Sequence, residues 1–371
     1  MGAFVHWGNI NVWVRRVVVA GVAVAVLGGG YVWFRQGTPE VRLAEVCGGM
    51  LPVDDMLALT GTTASGISGA DLKTDSWQYG PSRDVEVTEP DGLPAACRAN
   101  GVEIHIEPAS DGPSTLGLSN FARGDDVLPI PLGAHWSGLL APDGEEGIGA
   151  SVLLDCPNWD SRHGSGILVT ASADLAHLAH VRDNNDPAAR TELARMVTGT
   201  AKQAAQRTGC KAGFGDRISR VDSSATTAKK RVGEARGTCA GVHSRAVVRE
   251  TAAGTAPVEF CVLEGGLRLK SFYGPFVTSQ NHDGGRFGPF DKAAGTDEAG
   301  MVWGSATCTG AQGTALYWTE RAESKFQPRP HPEPLTAREQ ADLRTFAERS
   351  AARHGCSSPN LPADVTPAPV S

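Results

Sequence analysis

Residues 204–210 read AAQRTGC and residues 351–356 read AARHGC, so two helix-like segments far apart in the chain both stop on Gly-Cys. With these dipeptides superposed, Val197, Ala201, Ala205 and Arg207 fall on Leu343, Ala347, Ala351 and Arg353. The shared apolar positions recur every four residues, as one buried helix face requires. Upstream of each helix lies a short extended run, GILVTAS (166–172) and TALYWTE (314–320), and each follows a cysteine across a Gly-containing loop. Further back, VEIHIE (102–107) resembles VEFCVLE (258–264). Each half opens on a similar step, EVCGGML (45–51) and GTCAGVH (237–243).

This order repeats with the cysteines, which number eight: Cys47, Cys97, Cys156 and Cys210, then Cys239, Cys261, Cys308 and Cys356. Eight cysteines allow about 105 pairings. A duplication prunes them, because pairing within each half predicts Cys47–Cys97, Cys156–Cys210, Cys239–Cys261 and Cys308–Cys356. Pairing across the halves would defeat both the repeat and the assignment.

The helices carry their own boundary signals. Thr336 caps the second, and Glu339 three residues on completes a capping box. Leu343, Phe346, Ala347 and Ala351 form its apolar face, and Gly355 supplies the stop. In the first half Asp186-Pro187 is the matching start, followed by Leu193, Val197, Ala201 and Ala205. The Pro-alternating run at 326–335 favours an extended strut. The polar run DSSATTAKKRVGEARGT (222–238) lacks a core pattern and reads as a linker over 223–238. The Pro-rich end, 357–371, reads as a disordered tail. Mixed strands and helices predict an α+β chain of two tandem domains, 43–222 and 239–356.

Compartment is set by VVVAGVAVAVLGGGYVWF (17–34), which holds no charge. As a helix it spans roughly 27 Å, enough to cross a hydrocarbon core. Arg15 and Arg16 stand before it, which places residues 1–16 in the cytoplasm and the bulk outside a lipid bilayer. Trp13, Tyr31, Trp33 and Phe34 suit the interfacial aromatic belts. The alternative is a cleaved signal peptide with Gly28 and Gly30 at the processing site, although the apolar run continues past it. In either case the chain is exported, and the eight cysteines, all beyond this segment, read as disulfides.

The 371 residues carry a net charge of −7, with 41% hydrophobic and 20% charged side chains. A globular protein follows, and a nucleic-acid binder, which needs a basic face, does not. No catalytic, cofactor or metal site is predicted. In RHGSG (162–166), His163 stands two residues before Ser165, but Gly-x-Ser-x-Gly is absent from the chain and the loop reads as a turn. His177 and His180 lie at helical spacing, with Asp183 and Asp186 downstream; without an HExxH pattern they read as ordinary surface or packing residues rather than metal ligands. RDNNDPAARTE (182–192) has the acidic start of a calcium loop but lacks its central Gly, and Asp186 is better explained as a helix cap. NHDGGRFG (281–288) is a Gly-rich loop. Trp77, Trp136, Trp159, Trp303 and Trp318 are assigned to core packing ahead of a sugar-binding surface.

With its anchor, the stretch CGGMLPVDDMLALTG (47–61) and the strand-helix-Gly-Cys module, the chain resembles membrane-anchored secreted proteins of streptomycetes and other actinobacteria with cysteine-paired α+β modules. The resemblance covers most of the chain and carries over no catalytic residue. The expectation is a single-pass envelope protein with a binding or structural role, its partner another envelope protein or a wall polymer. The competing reading is an extracytoplasmic hydrolase acting on envelope material.

Overall fold

The computed structural model describes residues 43–63, 72–75, 93, 95–109, 128–143, 147–159, 164–178, 186–222, 228–282, 292–296, 301–321 and 334–362. The apolar segment 17–34 and the Pro-alternating run as far as residue 333 lie outside them. Among the described residues no helix is long and apolar enough to cross a membrane.

Two seven-stranded antiparallel sheets form an α+β fold. The first contains β1 (Leu72–Asp75), β2 (Ala95–Ala99), β3 (Val102–Ala109), β4 (Ile130–Pro131), β5 (Gly138–Asp143), β6 (Gly147–Asp155) and β7 (Gly166–Asp174), in the order β1-β2-β3-β7-β6-β5-β4. Helix α1 (Val53–Thr60) precedes it and α2 (Pro187–Arg207) follows. The second contains β8 (Lys230–Arg231), β9 (Val247–Glu250), β10 (Val258–Leu263), β11 (Leu267–Tyr273), β12 (Ala294–Thr296), β13 (Val302–Thr307) and β14 (Thr314–Arg321). Its order from the other edge is β8-β9-β10-β11-β14-β13-β12. Helix α3 (Pro275–His282) follows β11, and α4 (Ala337–His354) follows β14.

Setting aside β4 and β8 at the edges, β1-β2-β3-β7-β6-β5 and β9-β10-β11-β14-β13-β12 are the same arrangement. The disulfides obey it. Cys47–Cys97 and Cys239–Cys261 tie each opening turn to the second strand, whereas Cys156–Cys210 and Cys308–Cys356 tie the end of β6 or β13 to the end of the helix. No cysteine is free. Loop entropy assigns about 4 kcal/mol to each bond closing roughly fifty residues and about 3 to the shortest.

Three expectations change in detail. VEFCVLE forms β10, whose counterpart is β2 rather than the β3 formed by VEIHIE, because the matching cysteines sit inside β2 and β10 and their hairpin partners Ile104 and Leu269 sit in β3 and β11. The expected linker 223–238 is structured at its end: β8 pairs with β9, and Ala235 and Thr238 are buried. Its polar sequence hides this because the backbone is what is held. The buried Glu250 carboxylate accepts from the N–H groups of Arg236, Gly237 and Cys239 at 3.1, 2.8 and 3.1 Å. Similarly, the expected tail at 357–371 is ordered at its start. Ser357 N–H donates to Thr307 O at 2.8 Å, and Asn360 and Ser305 exchange backbone bonds, so the chain runs on along β13.

Both helix caps form as the sequence requires. Asp186 accepts from Ala188 and Ala189 N–H, and Thr336 and Glu339 make the reciprocal capping box, with Gly355 left-handed at the other end.

The strands alternate with period two, and both faces are apolar. Ile148, Ala150, Val152 and Leu154 of β6 pack with Val169 of β7 beneath α2. Leu153 and Leu168 point the other way, into a core shared with Val258, Phe260, Phe272, Leu316 and Trp318 of the second sheet. Leu269, Tyr273 and Tyr317 then pack beneath α4 with Leu343, Phe346 and Ala347. The layers run helix, sheet, sheet, helix. Antiparallel sheets usually keep one wet face, and here the second half covers it.

The sheets also interlock at one corner. Asp155 Oδ1 accepts from Ala311 N–H at 3.1 Å. Gly310, at φ +61°, approaches so closely that an added Cβ would lie 2.1 Å from the same carboxylate. Gly310→Ala therefore combines a left-handed backbone with a clash, and a loss of about 1–3 kcal/mol is expected from chemical denaturation. Because the middle core is shared, calorimetry should show a single cooperative transition for the two halves, lowered by about 3–5 kcal/mol in Trp318→Ala. Two separate transitions in the intact chain would show that this core does not couple them.

Candidate functional site

Polar side chains concentrate in one buried place, between the second sheet and α4. Glu259 of β10 lies on the strand face that also carries Cys261 and Leu263, and its side chain is 1% exposed. Its Oε2 accepts from Arg353 Nη2 at 2.7 Å and from Ser350 Oγ at 2.5 Å, and Ser271 Oγ lies 3.4 Å away. His354 Nε2 stands 3.4 Å from the other carboxylate oxygen. Arg353 is the member that reaches solvent, at 21% exposed.

The hydroxyls extend the network. Ser350 Oγ is 2.5 Å from Tyr273 Oη, which is 3.5 Å from Tyr317 Oη. Proton counting sets the direction: with the Ser350 proton donated to the carboxylate, Tyr273 donates to Ser350 and Tyr317 to Tyr273. Burial, reinforced by the charge on Glu259, pushes the Tyr273 phenol well above its ordinary value. Burial raises Tyr317 to about 12. Both phenols are therefore neutral donors at physiological pH. Burial alone would raise Glu259, but hydrogen bonds and charge from His354 and Arg353 outweigh it and hold the carboxyl below its ordinary value. The His354 ring stacks on Tyr273 at 3.7 Å, and its Nδ1 is buried without a hydrogen-bond partner among the described residues.

The first half supplies an internal control. Ala95 stands two residues before Cys97 as Glu259 stands before Cys261, and Ile106 and Val169 take the register positions of Ser271 and Tyr317. On the helix, Ala204 and Thr208 stand where the second half has Ser350 and His354. The same sheet-helix junction thus carries Ile106, Val169, Ala204 and Thr208 in the first half, with Arg207 in the place of Arg353, and is built around an ionised carboxylate in the second. The topology does not require the charge. A buried pair seldom beats a hydrophobic replacement in stability, but removing one partner strands the other.

Two further carboxylates fix the N-terminal turns of α4. Glu339 accepts from Arg245 and Arg321, each at 2.9 Å, and Asp342 accepts from the N–H groups of His243 and Ser244, both at 2.8 Å. All these contacts position the helix and the turn around Cys239.

The residues singled out by sequence sit elsewhere. His177 faces Asp174, Nδ1 to Oδ2 at 3.3 Å, in a half-exposed turn. His180 and Asp183 lie outside the described residues, as does His163. Ser165 Oγ bonds to Ala109 O at 3.4 Å, within the turn expected there. Asp186 is the helix cap, and residues 283–288 of the Gly-rich loop lie outside the described residues. Trp136, Trp303 and Trp318 are buried, Trp159 packs partly buried against the first core, and Trp77 is outside the described residues. Among the described residues no group of three or more metal-binding side chains occurs. The Glu259 network was missed although VEFCVL carried a sign of it, a Glu two residues before Cys261 on the same strand face. Ser350, Arg353 and His354 follow at spacings of three and four on one helix face.

Glu259→Ala should cost about 3–5 kcal/mol by leaving Arg353 and His354 without their anion. The pH dependence carries a definite sign. Because the folded carboxyl titrates below the unfolded one, its stabilisation is complete above the unfolded value and is lost as pH falls through the folded value. Urea midpoints measured between about pH 3 and 7 should fall less steeply toward acid in Glu259→Gln than in the wild-type protein.

No protein-family model, curated protein or solved structure matches the chain.

Proposed function

We propose that the chain is a membrane-anchored extracytoplasmic protein with a non-catalytic binding or structural role at the cell envelope. Residues 17–34 form its single-pass anchor, residues 1–16 face the cytoplasm, and the two modules stand outside. Another envelope protein or a wall polymer is the partner class. The resemblance to anchored actinobacterial secreted proteins belongs to the same proposal.

One observation carries the reading: every cysteine is placed in a disulfide, two per module, at equivalent positions. Such bonds persist in oxidising compartments and are rare where thiol reductants act. The nature of the densest titratable cluster agrees with a structural role. Its carboxylate is sealed under α4, and each of its close partners holds that helix on the sheet.

Two measurements on the natural host separate the elements of this proposal. Mass spectrometry of peptides from protein alkylated at harvest should recover all four bonds and no alkylated cysteine. Protease added to intact spheroplasts should degrade the chain beyond residue 34 while the protein stays with membranes through alkaline carbonate washing. Alkylated cysteines together with protease resistance would place the modules inside and refute the proposal.

A further inference from the structure

The outer layer of the first half ends in a strap that buries Ile218 and Val221 in the first core and turns its other side chains outward. After Cys210 the chain does not turn back into the sheet. Residues 211–221 run back along α2: Lys211 N–H donates to Asn158 Oδ1 at 2.7 Å, Arg195 donates to Ile218 O and Ser219 O, and Val221 N–H donates to Thr191 Oγ1. The second half has no such strap, because residues after Cys356 run along β13 instead.

The strap presents Phe214, which at 42% is the one large apolar side chain exposed among the described residues. Its ring lies 6.3 Å from that of Trp136, and Lys202 Nζ sits 5.9 Å from Phe214 and 5.3 Å from Trp136. The support is strained. Gly133, Ala134 and His135 are consecutive residues with positive φ, at +73, +50 and +65°. This turn aims Ala134 O at Asp216 N–H, 2.9 Å away, and Trp136 Nε1 donates to Asp216 O at 2.8 Å. Two non-glycine residues in the left-handed region each carry backbone strain, and the turn they form is bonded to the strap at Asp216.

Charge follows the same edge. Residues 202–222 carry five basic side chains, Lys202, Arg207, Lys211, Arg217 and Arg220, against Asp216 and Asp222, in a chain of net charge −7. Asp55 of α1 is within electrostatic reach of Arg217. Arg207, Lys211, Arg217 and Arg220 are exposed. The opening turn of the fold lies beside Arg207: an added Cβ on Gly49 would lie 3.6 Å from Arg207 Nη1. From Phe34 to Leu43 the chain can span no more than about 30 Å.

We infer that this basic and aromatic strap docks on the anionic lipid surface of the bilayer that the anchor crosses. Exposed Phe inserts at the interface while Lys and Arg meet lipid phosphates, each basic group near such a surface adding about fivefold to the partition. The inference rests on the reading of residues 17–34 as an anchor. The tether keeps this edge, rather than the opposite one, within reach of the bilayer.

The test uses the full chain reconstituted in nanodiscs of phosphatidylglycerol or phosphatidylcholine, each with a headgroup nitroxide. Emission of Phe214→Trp, after subtraction of the wild-type signal, should be quenched in the anionic discs and much less in the zwitterionic ones. The added changes Lys211→Glu, Arg217→Glu and Arg220→Glu should abolish the difference. Retention of all four disulfides checks that the variants fold. Equal quenching in both lipids, or none, overturns the inference, as does relief of quenching by soluble polyphosphate at physiological salt, which would assign the strap to a wall polymer. Resistance to alkaline extraction reports the anchor separately, so failure of the strap and failure of the anchor read differently.

Discussion

The two sheets meet through Leu153 and Leu168 on one side and Phe260, Phe272 and Trp318 on the other, and the rest of the architecture depends on that dry contact. A seven-stranded antiparallel sheet with a helix on one face leaves the other face apolar only if something covers it. Each half covers the other. The central strands are consequently buried on both faces, as β6 and β11 are, and the helices occupy the outside. Stability of either half is then tied to the other, which sets this pair apart from two beads on a linker.

Disulfides and core divide the work differently. The four bonds join places that strand pairing does not: the opening turn to the second strand, and the strand end to the helix end. They limit the unfolded chain more than they shape the folded one. The folded positions of α2 and α4 come from apolar faces, and for α4 also from three buried carboxylates, Glu259, Glu339 and Asp342. The two halves share a strand order but differ in this respect. Ile106, Val169 and Ala204 serve the first sheet at this junction; the second carries an ionised carboxylate with its donors.

The outer surfaces differ in the same way. In the first half the segment after the last cysteine is a strap bonded to a strained turn, Gly133–Ala134–His135. In the second it pairs with β13. Binding at a membrane or a partner needs groups displayed by a rigid layer, and a strap fixed to α2 by backbone acceptors of Arg195 provides one.

Local signals in the sequence were sufficient for the α+β class, the repeat, all four cysteine pairs and both helix caps. Those features depend on spacing along the chain: a four-residue apolar period, Gly-Cys at two helix ends, Thr336 three residues before Glu339. Register was harder, and VEFCVLE was matched to β3 because two adjacent strands of a hairpin carry the same alternation, and only the cross-strand partners of Cys97 and Cys261 tell them apart. The order at 230–238 was invisible because a distant carboxylate, Glu250, holds a backbone whose side chains carry no pattern. The Glu259 network and the Phe214 strap were likewise decided by the tertiary structure alone. Both bring together residues from separate elements, and no spacing within one segment records which distant face will cover a strand or which side chain will be left outside.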